Sequence, residues 1–164
     1  MYSTSKGVGG YILAFLGISI LLVVVDQVSK QLVRSMMVPG ETIPLVPNIF
    51  HLTYVQNPGA AFGILAHRTN LFIIITLAVI VLILLFLWRT SREQKMLKTA
   101  LALQLGGAVG NLIDRLLLGH VTDFFDFRIW PVFNIADMAV VLGVILLCWE
   151  ILKSSPEKKK QEFR

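Results

Sequence analysis

Five aspartates, Asp26, Asp114, Asp123, Asp126 and Asp137, stand at or beside the ends of long apolar runs in an otherwise oily chain. A carboxylate at membrane depth is costly and as a rule has a task. Each lies in a polar cluster: Asp26 to Lys30, Gly110 to Arg115, Thr122 to Asp126, and Phe133 to Asp137, with a fifth cluster running from Asn57 to Gly63. Two carboxylates brought together in apolar surroundings cannot both ionise, so one pKa rises and the pair shares a proton. One member can then deprotonate water while the other, as an acid, hydrogen-bonds a carbonyl under attack. That is a route to amide hydrolysis without a nucleophilic side chain or a metal.

Charged neighbours sort the five acids. Asp26 is four residues from Lys30, on one helix face, and Asp114 adjoins Arg115, so both read as structural or orienting groups. Asp123 and Asp137 have no cation nearby in sequence, and Asp126 has only Arg128. Chemistry alone therefore leaves Asp137 paired with either Asp123 or Asp126. Asn111 lies three residues before Asp114, and Asn134 three before Asp137, so each shares a helix face with its aspartate.

The elements that must position these groups follow from hydropathy. The 164 residues are 55% hydrophobic and their mean hydropathy is +0.74, a membrane composition. Four runs are long enough to span, at about 7–28, 71–88, 97–118 and 132–152. Together they imply a mainly α membrane protein with one integral unit over 1–153, followed by a disordered basic tail over 154–164. Ten Lys and Arg residues (Lys6, Arg89, Arg92, Lys95, Lys98, Lys153, Lys158, Lys159, Lys160, Arg164) fall on one side of the spans. Five (Lys30, Arg34, Arg68, Arg115, Arg128) fall on the other, which predicts cytoplasmic N and C termini. Trp88, Trp130 and Trp149 sit at span ends as interface anchors.

Between the first two spans, Pro39, Gly40, Pro44, Pro47, Pro58, Gly59 and Gly63 exclude a long helix. Phe50, Leu52 and Tyr54 alternate with His51 and Thr53, which predicts a strand in a small extracytoplasmic β-structure over about 39–66. The stretch from Gly119 to Pro131 reads as an extracytoplasmic loop between spans three and four. All five clusters then converge on the outer leaflet.

Other chemistries fit poorly. The net charge of +5 comes from loop residues beside spans, which argues against nucleic acid. His51, His67 and His120 lack metal-ligand spacing, so no metal is expected. Gly106 to Gly110 is a small-residue packing stretch without the Lys-Ser/Thr of a phosphate loop. No internal repeat of the transporter kind is visible. Cys148 lies inside the last run and reads as a buried structural thiol.

Taken in order, the clusters resemble those of the bacterial lipoprotein signal peptidase (signal peptidase II) family. Its pattern is Asp-Gln-x-Thr/Ser-Lys (Asp26 to Lys30), Asn-x-Gly-Ala-Ala-Phe (Asn57 to Phe62), Gly-Asn-x-x-Asp-Arg (Gly110 to Arg115), Val-x-Asp-Phe (Val121 to Phe124) and Phe-Asn-x-Ala-Asp (Phe133 to Asp137). Ser29, where Thr is common, and Thr122, where Val is common, are mild departures. The resemblance implies that Asp123 and Asp137 are the catalytic pair. It implies that Asn57, Gly59 and Arg115 bind substrate, with Asn57 and Arg115 on main-chain carbonyls. Asn111 and Asn134 would orient the aspartates, and Asp26 and Lys30 would brace the site. It further implies an aspartic endopeptidase without cofactor or metal, acting at the outer leaflet of the bacterial inner membrane. The implied substrate is a diacylglyceryl-prolipoprotein, cut just before its lipidated cysteine by a monomer embedded in membrane lipid.

Overall fold

The computed structural model describes residues 5–59, 68–91 and 94–153, with side chains from Tyr11 onward. Residues 60–63 of the Asn57 cluster, His67, Arg92 and the tail 154–164 lie outside the described residues. The chain runs α1 (Ser5–Met36), β1 (Thr42–Val46), β2 (Phe50–Asn57), α2 (Thr69–Arg89), α3 (Lys95–Leu118), β3 (Val121–Asp126) and α4 (Ile135–Lys153). All four helices are long and apolar enough to cross a membrane.

The outward surface of the helical layer is apolar, while its buried seams hold polar groups at one end beside a hydrophobic cluster of Phe15, Ile83, Leu97, Leu101 and Ala102; Cys148 of α4, expected to be buried, is exposed. In α1 the buried positions are Phe15, Ser19, Asp26, Lys30 and Val33, a single helical stripe, while Leu13, Ile20, Leu21 and Val28 face outward. In α2 only Ile83 is buried. The central helix is α3, which packs against the other three. Small residues allow its close approaches. A side chain at Gly107 would collide with the Ala136 carbonyl, and a Cβ at Gly110 would lie 2.6 Å from Asp26 Oδ2. Gly119, in the left-handed conformation at φ 77°, ends α3 as a C-cap glycine.

The first helix is longer than the apolar run predicts. Its hydrophobic stretch stops near Val25, yet the helix continues to Met36, where Pro39 and the left-handed Gly40 (φ 89°) end it. Its 32 residues measure about 48 Å, against about 30 Å of hydrocarbon. The last turns carry Val33, which packs with Met37, Tyr54 and Phe124 in a small core under the β-sheet. The helix is both a span and the post of the sheet.

That sheet has three antiparallel strands in the order β1-β2-β3. The β2 strand lies where alternation predicts it, but a register irregularity between Leu52 and Val55 breaks the expected pattern. His51 is buried with its Nδ1 accepting from Arg128 Nε at 3.2 Å, whereas Leu52 is only half-buried. The stretch after α3, read from sequence as a loop, contains β3. Pairing with β2 sets Asp123 opposite Val55 and Val121 opposite Asn57. Phe124 and Phe125 both donate backbone N–H groups to Phe133, folding the chain back toward α4.

Candidate active site

Three helix ends meet at one end of the bundle: the C-terminal halves of α1 and α3, and the start of α4. Here Lys30, fully buried, lies 2.9 Å from Asp26 Oδ2 and 3.4 Å from Asp114 Oδ2, and donates to Asn111 Oδ1 at 2.9 Å. An ammonium only donates, so it fixes the Asn111 amide with Oδ1 toward Lys30 and Nδ2 outward. That Nδ2 donates to Asp137 Oδ1 at 2.8 Å. The buried cation therefore sets which face Asn111 turns to the aspartate.

Asn134 stands at the N-cap of α4. Its Oδ1 accepts the Asp137 amide at 3.0 Å and the Asp137 carboxylate accepts the Asn134 amide at 3.2 Å, a reciprocal capping box. Its Nδ2 donates to Asp123 Oδ1 at 2.6 Å and to Asn111 Oδ1 at 3.2 Å. Asp123 receives a second donor on its other oxygen, Asn57 Nδ2 at 2.9 Å, with Asn57 held in turn by the Gly59 amide at 3.0 Å. Asp123 and Asp137 are thus linked through Asn134 and line a common cleft.

The surrounding acids hold the frame. Asp26 Oδ1 accepts the Ala136 amide at 3.0 Å, anchoring the first turn of α4 to α1. Asp114 accepts the Thr122 amide at 2.9 Å and so pins the start of β3 to α3. Gln27 Nε2 lies within bonding distance of Asp26, the Gly110 carbonyl and Asp114. The close ion-pair cations of Asp114 are Lys30 and, at 3.5 Å, Arg34, while its sequence neighbour Arg115 acts on it only at longer range and more weakly than on Asp137 and Asp123. Arg115 instead turns to the cleft, with its guanidinium 5.3 Å above the Phe72 ring of α2.

The cleft measures about 450 Å³. Asn57, Gly59, Asn111, Arg115, Asp123 and Asp137 form its polar side, and Ile75, Val79, Trp130, Val140 and Val141 its apolar walls. Burial, reinforced by the neighbouring Asp137 charge, pushes the Asp123 carboxyl up to about 7, against the hydrogen bonds of Asn57 and Asn134 and the more distant Lys30. Asp126 behaves oppositely. Against its burial, hydrogen bonds from Thr53 at 2.7 Å and the Arg128 amide at 2.8 Å, with the Arg128 charge, hold it below the ordinary carboxylate range. It belongs to the sheet and does not line the cleft.

Every proposed site residue therefore reaches this end of the bundle. Asn57, assigned by resemblance to substrate carbonyls, here donates to Asp123. Sequence reasoning gave no site role to Gln27, Arg34, Thr122 or Phe72. Arg34 was findable, because Asp26, Lys30 and Arg34 recur every four residues on one helix face. Phe72 carried no local signal. Among the described residues, no three His, Cys, Asp or Glu side chains are grouped as a metal site requires.

Known proteins match this arrangement over most of the chain. The family model described as signal peptidase (SPase) II matches residues 18–153. The lipoprotein signal peptidase of Moorella thermoacetica is 49% identical over 90% of this chain and 98% of its own length. That of Bacillus subtilis is 42% identical over 88% and 97%. A solved bacterial membrane enzyme structure superposes with a TM-score of 0.80 at 35% identity, covering 88% of each chain. A second one gives 0.78 at 35% identity, covering 90% of this chain and 95% of the other. With the motifs in order, on four membrane-length helices and around one cleft, the chain belongs to the signal peptidase II family.

Proposed function

We propose that this protein removes signal peptides from diacylglyceryl-modified bacterial prolipoproteins, cutting just before the lipidated cysteine by an aspartic mechanism. The observation that carries the reading is the junction of Asp123 and Asp137 through Asn134 at one cleft, with a protonatable carboxyl near neutral pH.

The pair holds one shared proton. The ionised carboxylate takes a proton from water, whose oxygen bonds to the scissile carbonyl carbon. The protonated partner supports the carbonyl oxygen as negative charge develops there. Collapse of the tetrahedral intermediate breaks the C–N bond, and a proton from the dyad passes to the leaving amine of the lipidated cysteine. Water supplies the remaining atoms, so no cofactor or metal enters the balance. Arg115 and the cleft walls hold the extended backbone, and acyl chains keep the modified cysteine near the lipid.

This chemistry fits a site at the outer leaflet of the cytoplasmic membrane, with both termini cytoplasmic as the Lys and Arg distribution suggests. A substrate helix in the bilayer and its lipid anchor would bring the scissile amide to that depth. A single chain supplies every residue in the scheme, which suits a monomer.

Purified Asp123→Asn and Asp137→Asn variants, incubated with diacylglyceryl-prolipoprotein and followed by gel shift, test the reading. Each is expected to keep its fold and lose processing. Wild-type rates in either variant overturn it.

A further inference from the structure

We propose that the end of the bundle opposite the dyad holds one two-chained anionic phospholipid, with its phosphate on Lys98 and Lys95 and its acyl chains in two apolar clefts. The clefts measure about 390 Å³ and about 370 Å³ and share Tyr11, Phe15 and Lys98. One follows the end of α2 past Leu84 and Leu87. The other follows α1 past Ala14 and Ile18 to the start of α3, where Lys95 joins its rim. Two apolar channels meeting at a cation match a diacyl lipid better than a single-chained amphiphile.

Charge complementarity selects the headgroup. Lys98 is half-buried, with its Nζ 4.8 Å from the Tyr11 ring centroid, and Lys95 is exposed. The ion pairs among the described residues involve Asp26, Asp114 and Asp126, all at the dyad end, so neither lysine has a described carboxylate partner. The first turn of α3 contains no acid either. Basic pockets between membrane helices take anionic headgroups, whereas a zwitterionic headgroup would bring its own cation against two lysines. Trp88, 85% exposed, stands beside the cleft as an interfacial aromatic does. Along α3, Lys98 and Arg115 are 17 residues, or about 25 Å, apart, so the site is separate from the dyad.

Ordinary boundary lipid would coat the same helices without headgroup preference, in variable number and independently of Lys98. Native mass spectrometry of the full-length protein, titrated in detergent with dioleoylphosphatidylglycerol, its phosphatidylcholine counterpart and lysophosphatidylglycerol, separates the two cases. One phosphatidylglycerol is expected to be retained at least about tenfold more tightly than phosphatidylcholine, with the single-chained lipid weaker. Lys98→Ala and Lys95→Ala should each lower that affinity about fivefold, with phosphatidylcholine unchanged. Lys98→Arg should preserve it. Because Lys95 is exposed, its variant keeps the test open should Lys98→Ala misfold. Equal affinity for the two diacyl lipids, equal affinity for the single-chained one, or no loss in either alanine variant overturns the proposal.

Discussion

Asn134 and Asp137 cap the same helix end reciprocally, each side chain accepting the other's backbone amide at 3.0 and 3.2 Å. The carboxylate proposed for catalysis is therefore held by its own helix start. Asn134 also donates to Asp123, so one amide side chain serves both helix stability and dyad geometry. These roles can be separated. Asn134→Ala should cost about 1 kcal/mol of stability through the lost cap and reduce processing at least about 100-fold. Asn134→Ser should recover most of the stability, since serine caps well, but little of the activity, since it cannot reach Asp123 in the same way. Thermal unfolding alongside gel-shift rates reads both.

The raised carboxyl of Asp123 should give processing an alkaline limit. Above about 7 the shared proton is lost, so the rate should fall with an apparent pKa near 7. Asn57 hydrogen-bonds the charged form and so lowers this pKa. Removing it in Asn57→Ala should move the alkaline limb upward by about one pH unit while reducing the maximal rate. A limb that moves downward would contradict the assigned hydrogen bond.

Lys30 is fully buried between Asp26 and Asp114. Lys30→Met leaves two buried carboxylates without their shared cation and should cost about 3–5 kcal/mol, read as a lower midpoint on thermal unfolding. The Asn111 amide also loses the donor that sets its orientation, so any folded fraction should process poorly.

The glycines of α1 and α3 should respond in opposite ways. At Gly110 a Cβ would lie 2.6 Å from Asp26 Oδ2, so Gly110→Ala should displace the carboxylate that anchors Ala136 and abolish most processing. At Gly17 nothing lies within 4 Å, and Gly17→Ala should be neutral or stabilise by up to about 1 kcal/mol. Melting temperatures and processing rates of the two variants give the comparison.

Asp126 provides the control for the dyad. Asp126→Asn should retain processing within about twofold and lose about 1 kcal/mol, because its partners are Thr53 of β2 and Arg128 just beyond β3, away from the cleft. Activity lost on the scale of Asp123→Asn would mean that the pair was wrongly chosen.

Four helices and the gathering of the acids were legible because apolar runs and polar interruptions are local properties of the sequence. The end of α1 was not. Asp26 and Lys30 look like the edge of a span until the partners that neutralise them are known, and those partners lie on α3 and α4. Strand β3 was missed for a related reason, since Val121 to Asp126 is short and sets Phe124 beside Phe125 without alternation, and extends because β2 and Asp114 hold it. Asp114 and Arg115 make no close ion pair because neighbours in a helix point about 100° apart: Arg115 lies over Phe72, and Asp137 and Asp123 act on its charge more strongly than Asp114 does. The choice of Asp123 over Asp126 lay beyond charge reasoning and rested on the order of motifs.

The overlong α1 makes the protein a depth gauge. Its last turns grip the sheet through Val33 and Arg34, and α3 grips the same sheet through Asp114, so the length of these helices sets the height of Asp123 above the bundle. A bilayer thicker or thinner than the helices were built for would shift the lipid boundary past a cleft that cannot follow it. The position of the scissile bond along a substrate helix would then be measured from the membrane surface as much as from the residues beside it.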